Sequence, residues 1–258
     1  MSIFAVIVLM GVLSTCTAAP ADGDVLIMRY AWAPIFCFAG SANGVPKNYC
    51  GLEPPALQRF TTHRAARISY SSDSGGETGN CTDPTAGFNS SDLSFAVRSA
   101  LECTTNSYNI GNDDSYWQFL WNDTGKCVAE KIGLPPKRYF WLLTNTFKRY
   151  DVDSVLKQAG YDFAKIKEVN ATKALDILQD AFGYRGSYTC DSGSRTKWST
   201  VNFCLSALPP YRMTHCPARM LEPPRRCPTT LLIDTERGGH VSDKCIPYYP
   251  SALPFPPF

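Results

Sequence analysis

The stretch "YWQFLWNDTGKC", Tyr116 to Cys127, is the part of the chain on which the fold reading turns. It reads as a short amphipathic helix. Ser115, with Gln118 three residues on, has the form of a capping box, and Gly125 suits the left-handed residue that follows a helix end. Cys127 then anchors the segment. Segments like this carry catalytic side chains in some secreted enzymes. The positions suited to such work here hold Phe119, Leu120, Asp123 and Thr124, with no histidine among them.

On either side of this helix the chain mixes strand and helix signals. "VLIMRYAW", Val25 to Trp32, is rich in strand formers and stops before Pro34, which predicts a buried strand. "RFTTH", Arg59 to His63, predicts a second strand. Leu93, Val97 and Leu101 recur at helical spacing before Cys103. Phe140, Leu143, Thr144 and Phe147 share one face of a helix that starts after Pro136. "VDSVLKQAG" is a short helix with Gly160 as its stop. Thr172 can cap "KALDILQDAFG", whose inner face is Leu175, Leu178 and Phe182, and "VNFCL" around Cys204 is a late strand. Neither an internal repeat nor a dividing linker is visible. The unstrict alternation of elements predicts one α+β domain.

Composition sets the compartment. The 258 residues are 44% hydrophobic, enough for a substantial core, and the formal net charge of +2 is too small to indicate nucleic acid or an anionic membrane by itself. The apolar run from Ile3 to Leu13 is too short to span a bilayer and fits the core of a signal peptide, with cleavage after Ala18. Residues 1–18 are therefore expected to be removed, residues 19–246 to form the domain, and the proline-rich residues 247–258, "PYYPSALPFPPF" among them, to be an extended, flexible tail. Of eleven cysteines, Cys16 lies in the signal, which leaves an even ten. Sequons stand at Asn80, Asn89, Asn122 and Asn170. Together these features describe a secreted or lysosome-type glycoprotein stapled by disulfides, with no membrane association after signal cleavage and a monomer expected. His215 lies between Cys204 and Cys216 in a spacing that superficially suits zinc. The even cysteine count favours disulfides over metal, and no cofactor motif is found.

The order of segments resembles that of the ribonuclease T2 family, secreted or lysosomal acid endoribonucleases, over nearly the whole mature chain. "YAWAPIFC" is similar to the family's W-P-P-T-F-C, "FTTHRAAR" to F-T-I-H-G-L-W-P, and "YWQFLWNDTGKC" to F-W-E-H-E-W-N-K-H-G-T-C. "RYFWLLTNTF" resembles the family's Y-F-x-x-x-L-x-L, and "SYTC" and "VNFCLSALPPYRMTHCP" its closing cysteine region. The resemblance implies a mainly antiparallel sheet packed with helices. It further implies bridges Cys37–Cys50, Cys81–Cys127 and Cys204–Cys216, Cys190 paired with either Cys245 or Cys227, and Cys103 with the remainder.

The departures concern chemistry. Family members cleave RNA through a 2′,3′-cyclic phosphate: one histidine takes the 2′-hydroxyl proton, a second protonates the leaving oxygen, and Glu and Lys stabilise the phosphorane. The helix places the last three groups and a further histidine at offsets 0, 1, 4 and 5, a face about 140° wide. Here those positions are Phe119, Leu120, Asp123 and Thr124, while Trp121, Asn122, Gly125 and Cys127 match the pattern. His63 matches the first histidine, either as a residual base or as a structural residue, but Arg64 to Arg67 replace the Gly-Leu-Trp-Pro that follows it. The expectation is a member of the family without turnover that binds RNA or an extracellular protein. Phe119 and Leu120 are expected to fill the old cleft as core, or else to line an apolar pocket. Arg59, Arg64 and Arg67 are phosphate-contact candidates or solvated surface. The competing expectation is a weak acid endoribonuclease using His63.

Overall fold

The computed structural model describes residues 24–32, 60–61, 68–71, 87–105, 113–163, 165–191, 195–221 and 227–233. Its strands are β1 (Val25–Trp32), β2 (Phe60–Thr61), β3 (Ile68–Ser71), β4 (Glu168–Asn170), β5 (Ser187–Cys190), β6 (Trp198–Ser206), β7 (Met213–Thr214) and β8 (Thr230–Leu232). The main sheet runs β2–β1–β6–β5, with β3 also on β1 and β7 on β6, and these pairings are antiparallel. β4 and β8 make a separate antiparallel pair.

β1 spans the eight residues read as a strand, and all of them but Arg29 are buried. A strand covered on both faces reads as an unbroken apolar run instead of an alternating one. Leu26, Met28 and Tyr30 lie opposite Leu205, Phe203 and Val201 of β6 and face the helices. On the reverse face Arg29 lies opposite Asn202, which lies opposite Ser187. The buried Asn202 amide is satisfied there: its Oδ1 accepts from Arg29 Nε at 3.1 Å and from Thr200 Oγ1 at 3.3 Å, and its Nδ2 donates to Ser187 Oγ at 3.4 Å.

The helices are α1 (Phe95–Thr104), α2 (Asp113–Leu120), a π-helical turn (Trp121–Gly125), α3 (Lys126–Ile132), α4 (Pro136–Arg149), α5 (Val152–Gln158), α6 (Ala171–Phe182) and α7 (Ala218–Leu221). Phe140, Leu143, Thr144 and Phe147 are all buried on α4, as their spacing requires. Leu93 is buried too, but it precedes α1, whose cap is Ser94. Gly160 and Gly183 follow α5 and α6 with φ of +91° and +81°, a region that favours glycine.

The cap of α6 corrects the sequence reading. It is Asn170, whose Oδ1 accepts from Lys173 N at 2.9 Å, and Thr172 lies inside the helix. Pairing of β4 with β8 holds Asn170 extended, at φ −78° and ψ 104°, so the helix begins directly after it.

Cys204–Cys216 forms as expected, and Cys190 pairs with Cys227, not with Cys245. The Cα atoms are 5.1 and 5.7 Å apart, within the reach of a disulfide. Cys103 and Cys127 are also disulfide-bonded. Cys37, Cys50, Cys81 and Cys245 lie outside the described residues, as do the expected signal peptide and tail. Among the described residues no helix is long and apolar enough to cross a membrane.

The Tyr70 hydroxyl of β3 donates to the Asp24 carboxylate at the foot of β1. Burial, then the hydrogen bond and the charge of Asp24, push this phenol up to about 12 from 10.0. A raised phenol pKa means that the folded chain keeps a proton the unfolded chain releases. The contribution is complete below pH 10 and is lost as pH rises towards 12. Urea denaturation across that interval should show wild type losing more stability than Tyr70→Phe; parallel losses would refute the assignment.

Candidate functional site

Residues 113–132 are helical throughout, so the two punctuation marks read in the sequence do other work. Asp113 is already helical, which places Ser115 inside the helix, and Gln118 Nε2 donates forward to Asn122 Oδ1 at 3.2 Å. Gly125 has φ −59° and ψ −40°, ordinary right-handed helix; the left-handed terminator is Gly133, at φ +67°. The reason for glycine at 125 is space. A Cβ there would stand 2.4 Å from Cε3 of the Trp121 indole, which lies across that turn.

Trp121 is fully buried, with its ring centroid 6.2 Å from Phe88 and 5.7 Å from Tyr139. The helix widens around it into the π turn, where Lys126 N donates to Trp121 O across five residues. Such turns are uncommon and often mark functional segments.

The face made by the four positions is divided by this packing. Leu120 is wholly buried and Thr124 nearly so. Thr124 Oγ1 lies 3.2 Å from Leu120 O and 3.1 Å from Tyr139 Oη. A hydroxyl has one proton, and Thr124 gives it to the Leu120 carbonyl, so Tyr139 is the donor in the second bond. Phe119 does not fill core: it is 45% exposed, its ring near-parallel to Tyr116 at 6.4 Å. Asp123 is half-buried. Position 124 meets Tyr139 of α4 and position 120 is buried, whereas position 119, one residue earlier and about 100° round the axis, is exposed.

Of the four positions only Asp123 is ionisable, and the Thr124 hydroxyl is committed to structure. These four positions therefore offer an exposed aromatic ring and one carboxylate, and no imidazole. Tyr139 and Phe88, which set the burial boundary, were missed as partners because each lies in a different segment from the helix. His63, Arg59, Arg64 and Arg67 lie outside the described residues. β2 carries the chain beside Ala31 and Trp32 as far as Thr61, two residues short of His63. His215 is exposed and meets Tyr184 edge-on at 5.1 Å, and its neighbour Cys216 is a disulfide sulfur.

Residues 23–213 match the model of the Ribonuclease T2 family. No curated protein matches the chain by sequence. Among solved structures, a mutant of ribonuclease MC1 in complex with 5′-GMP is 18% identical, with a TM-score of 0.62 over 81% of this chain and 98% of that one. Human RNase T2 is 20% identical, with a TM-score of 0.58 over 80% and 94%. An RNase-related protein from Calystegia sepium is 16% identical, with a TM-score of 0.56 over 81% and 96%. At these identities the likeness is one of fold.

The Gly125–Trp121 contact predicts that Gly125→Ala forces the indole from its site and costs about 1–3 kcal/mol. Gly87→Ala, where nothing lies within 4 Å of the added atom, should change stability by less than about 0.5 kcal/mol. Denaturation midpoints of the two variants check the contrast.

Proposed function

This chain belongs to the ribonuclease T2 family, and on that premise we propose that it is a secreted member that binds its ligand without nuclease turnover. The observation that carries this reading is the use of the second catalytic segment. Where the family pattern has His, Glu, Lys and His, this helix has Phe119, Leu120, Asp123 and Thr124, and two of the four are built into the core.

The size of the loss follows from what such groups supply. A positioned acid or base is worth roughly 10²–10⁴-fold, and charge stabilisation at the phosphorane can be worth more. Losses of groups that act together do not add simply, yet several orders of magnitude are at stake. His63 has no second histidine at these four positions, where Asp123 is the one ionisable side chain. Binding needs none of these groups. Arg59, Arg64 and Arg67 flank His63 in sequence, and their guanidinium forks match phosphate oxygens. RNA is therefore the favoured ligand, with an extracellular protein as the alternative.

Purified protein incubated with poly-uridine and mixed RNA between pH 4 and 7 should release no more product than a His63→Ala variant. Wild-type turnover above the variant at any of these pH values would instead establish a weak endoribonuclease. Short RNA should bind with an affinity that falls as salt rises, and Arg64→Ala should weaken it. An affinity indifferent to both would direct the search to a protein partner.

A further inference from the structure

The exposed ring of Phe119 is the one large apolar group that the altered helix turns outward, and a modification site stands one turn away. We propose that Asn122 carries an N-linked glycan whose first N-acetylglucosamine packs on the Phe119 ring. Asn122 and Thr124 complete a sequon, and Asn122 is exposed. Gln118 orients the Asn122 amide by donating to its Oδ1 at 3.2 Å. That bond does not use Nδ2, the atom to which the sugar is joined.

The other described sequon asparagines are arranged alike. Asn89 and Asn170 are both exposed, and their Oδ1 atoms accept from Ser91 N at 3.0 Å and Lys173 N at 2.9 Å. Glycosylation leaves an amide carbonyl in place, so each of these local bonds persists in the modified protein. In the covalent step, Nδ2 forms a bond to the anomeric carbon of a polyprenyl-diphosphate-linked oligosaccharide. The C–O bond to diphosphate breaks, the amide loses one proton, and the polyprenyl diphosphate departs.

What sets Asn122 apart is its neighbour. Phe119 lies three residues before it, and residues three apart meet on a helix surface, with Cβ atoms about 5–6 Å apart. Phe119 is 45% exposed, and its ring is steadied by the near-parallel ring of Tyr116. A hexosamine has a face of C–H groups that makes dispersion contact with an aromatic ring. The sugar thus covers apolar surface at the position where the family pattern has a histidine, and ligand contact is left to the segment around His63.

This inference rests on the secretory entry in the proposed function, and the test separates the two. The full chain is produced in a eukaryotic secretory host, its glycopeptides are mapped by mass, and its glycans are trimmed enzymatically to the single attached N-acetylglucosamine. Thermal midpoints are then compared with Asn122→Gln in the Phe119 and Phe119→Ala backgrounds. The expected result is an occupied Asn122, and a midpoint gap over Asn122→Gln that is about 2–4 °C larger with Phe119 than with Ala. The lost Gln118 bond is common to both backgrounds and cancels in the cycle. Phe119→Tyr, which keeps a ring, should keep the gap, and Phe119→Leu replaces the alanine variant if that one does not fold. An unmodified Asn122 in a chain recovered from the medium overturns this proposal and leaves secretion standing, whereas a chain retained in the cells with four empty sequons overturns the secretory entry as well. An equal gap in the two backgrounds refutes the packing on Phe119.

Discussion

The Trp121 indole lying across Gly125 is the contact on which the altered helix depends. Any side chain at 125 would occupy the volume of the ring, so the helix can pass Trp121 only if glycine stands there. With the ring seated against Phe88 and Tyr139, the rotation of the helix about its own axis is set. Truncating a large buried aromatic costs about 3–5 kcal/mol, which indicates how firmly this seat holds. The π turn, the burial of Leu120 and Thr124, and the exposure of Phe119 are consequences of that seating.

A helix of this family is under two demands: to pack on the core and to present reactive groups. In this chain Leu120 and Thr124 serve the packing. The Thr124 hydroxyl closes a chain of bonds from Tyr139 to the Leu120 carbonyl, so this side chain satisfies a buried phenol. Leu120 adds apolar contact in place of a carboxylate that would need a partner or water. On the far side of the core, the Asn202 amide joins β1, β5 and β6 through Arg29, Ser187 and Thr200. The sheet and the helix thus each hold a satisfied buried polar network, one centred on Asn202 and the other on Thr124.

Much of the scaffold was legible because it rests on local properties. The strand of β1 follows from its run of strand formers, interrupted by Arg29, and the buried face of α4 from periodicity. Gly160 and Gly183 follow from the freedom of glycine at positive φ, which needs no knowledge of neighbours. The caps read from sequence failed where the start of the helix depended on something distant. Asn170 is the cap of α6 because β8 holds it extended, and a strand sixty residues later in the chain leaves no mark beside Thr172. Ser115 and Gln118 have the composition of a capping box, yet Asp113 is already helical.

By itself the sequence determined which side chains stand at the four compared positions, that none of them is a histidine, and that Val25–Trp32 is a strand and the segment after Pro136 a helix. Side-chain identity and periodicity are written along the chain. The tertiary structure alone decided that Gly125 is a clearance for Trp121 and not a helix stop, that Cys190 joins Cys227 rather than Cys245, and that the altered face is split between core and solvent. Each of these depends on distances between atoms that are far apart in sequence, and such distances exist only once the helix has settled against Phe88 and Tyr139 and the strands have found their partners.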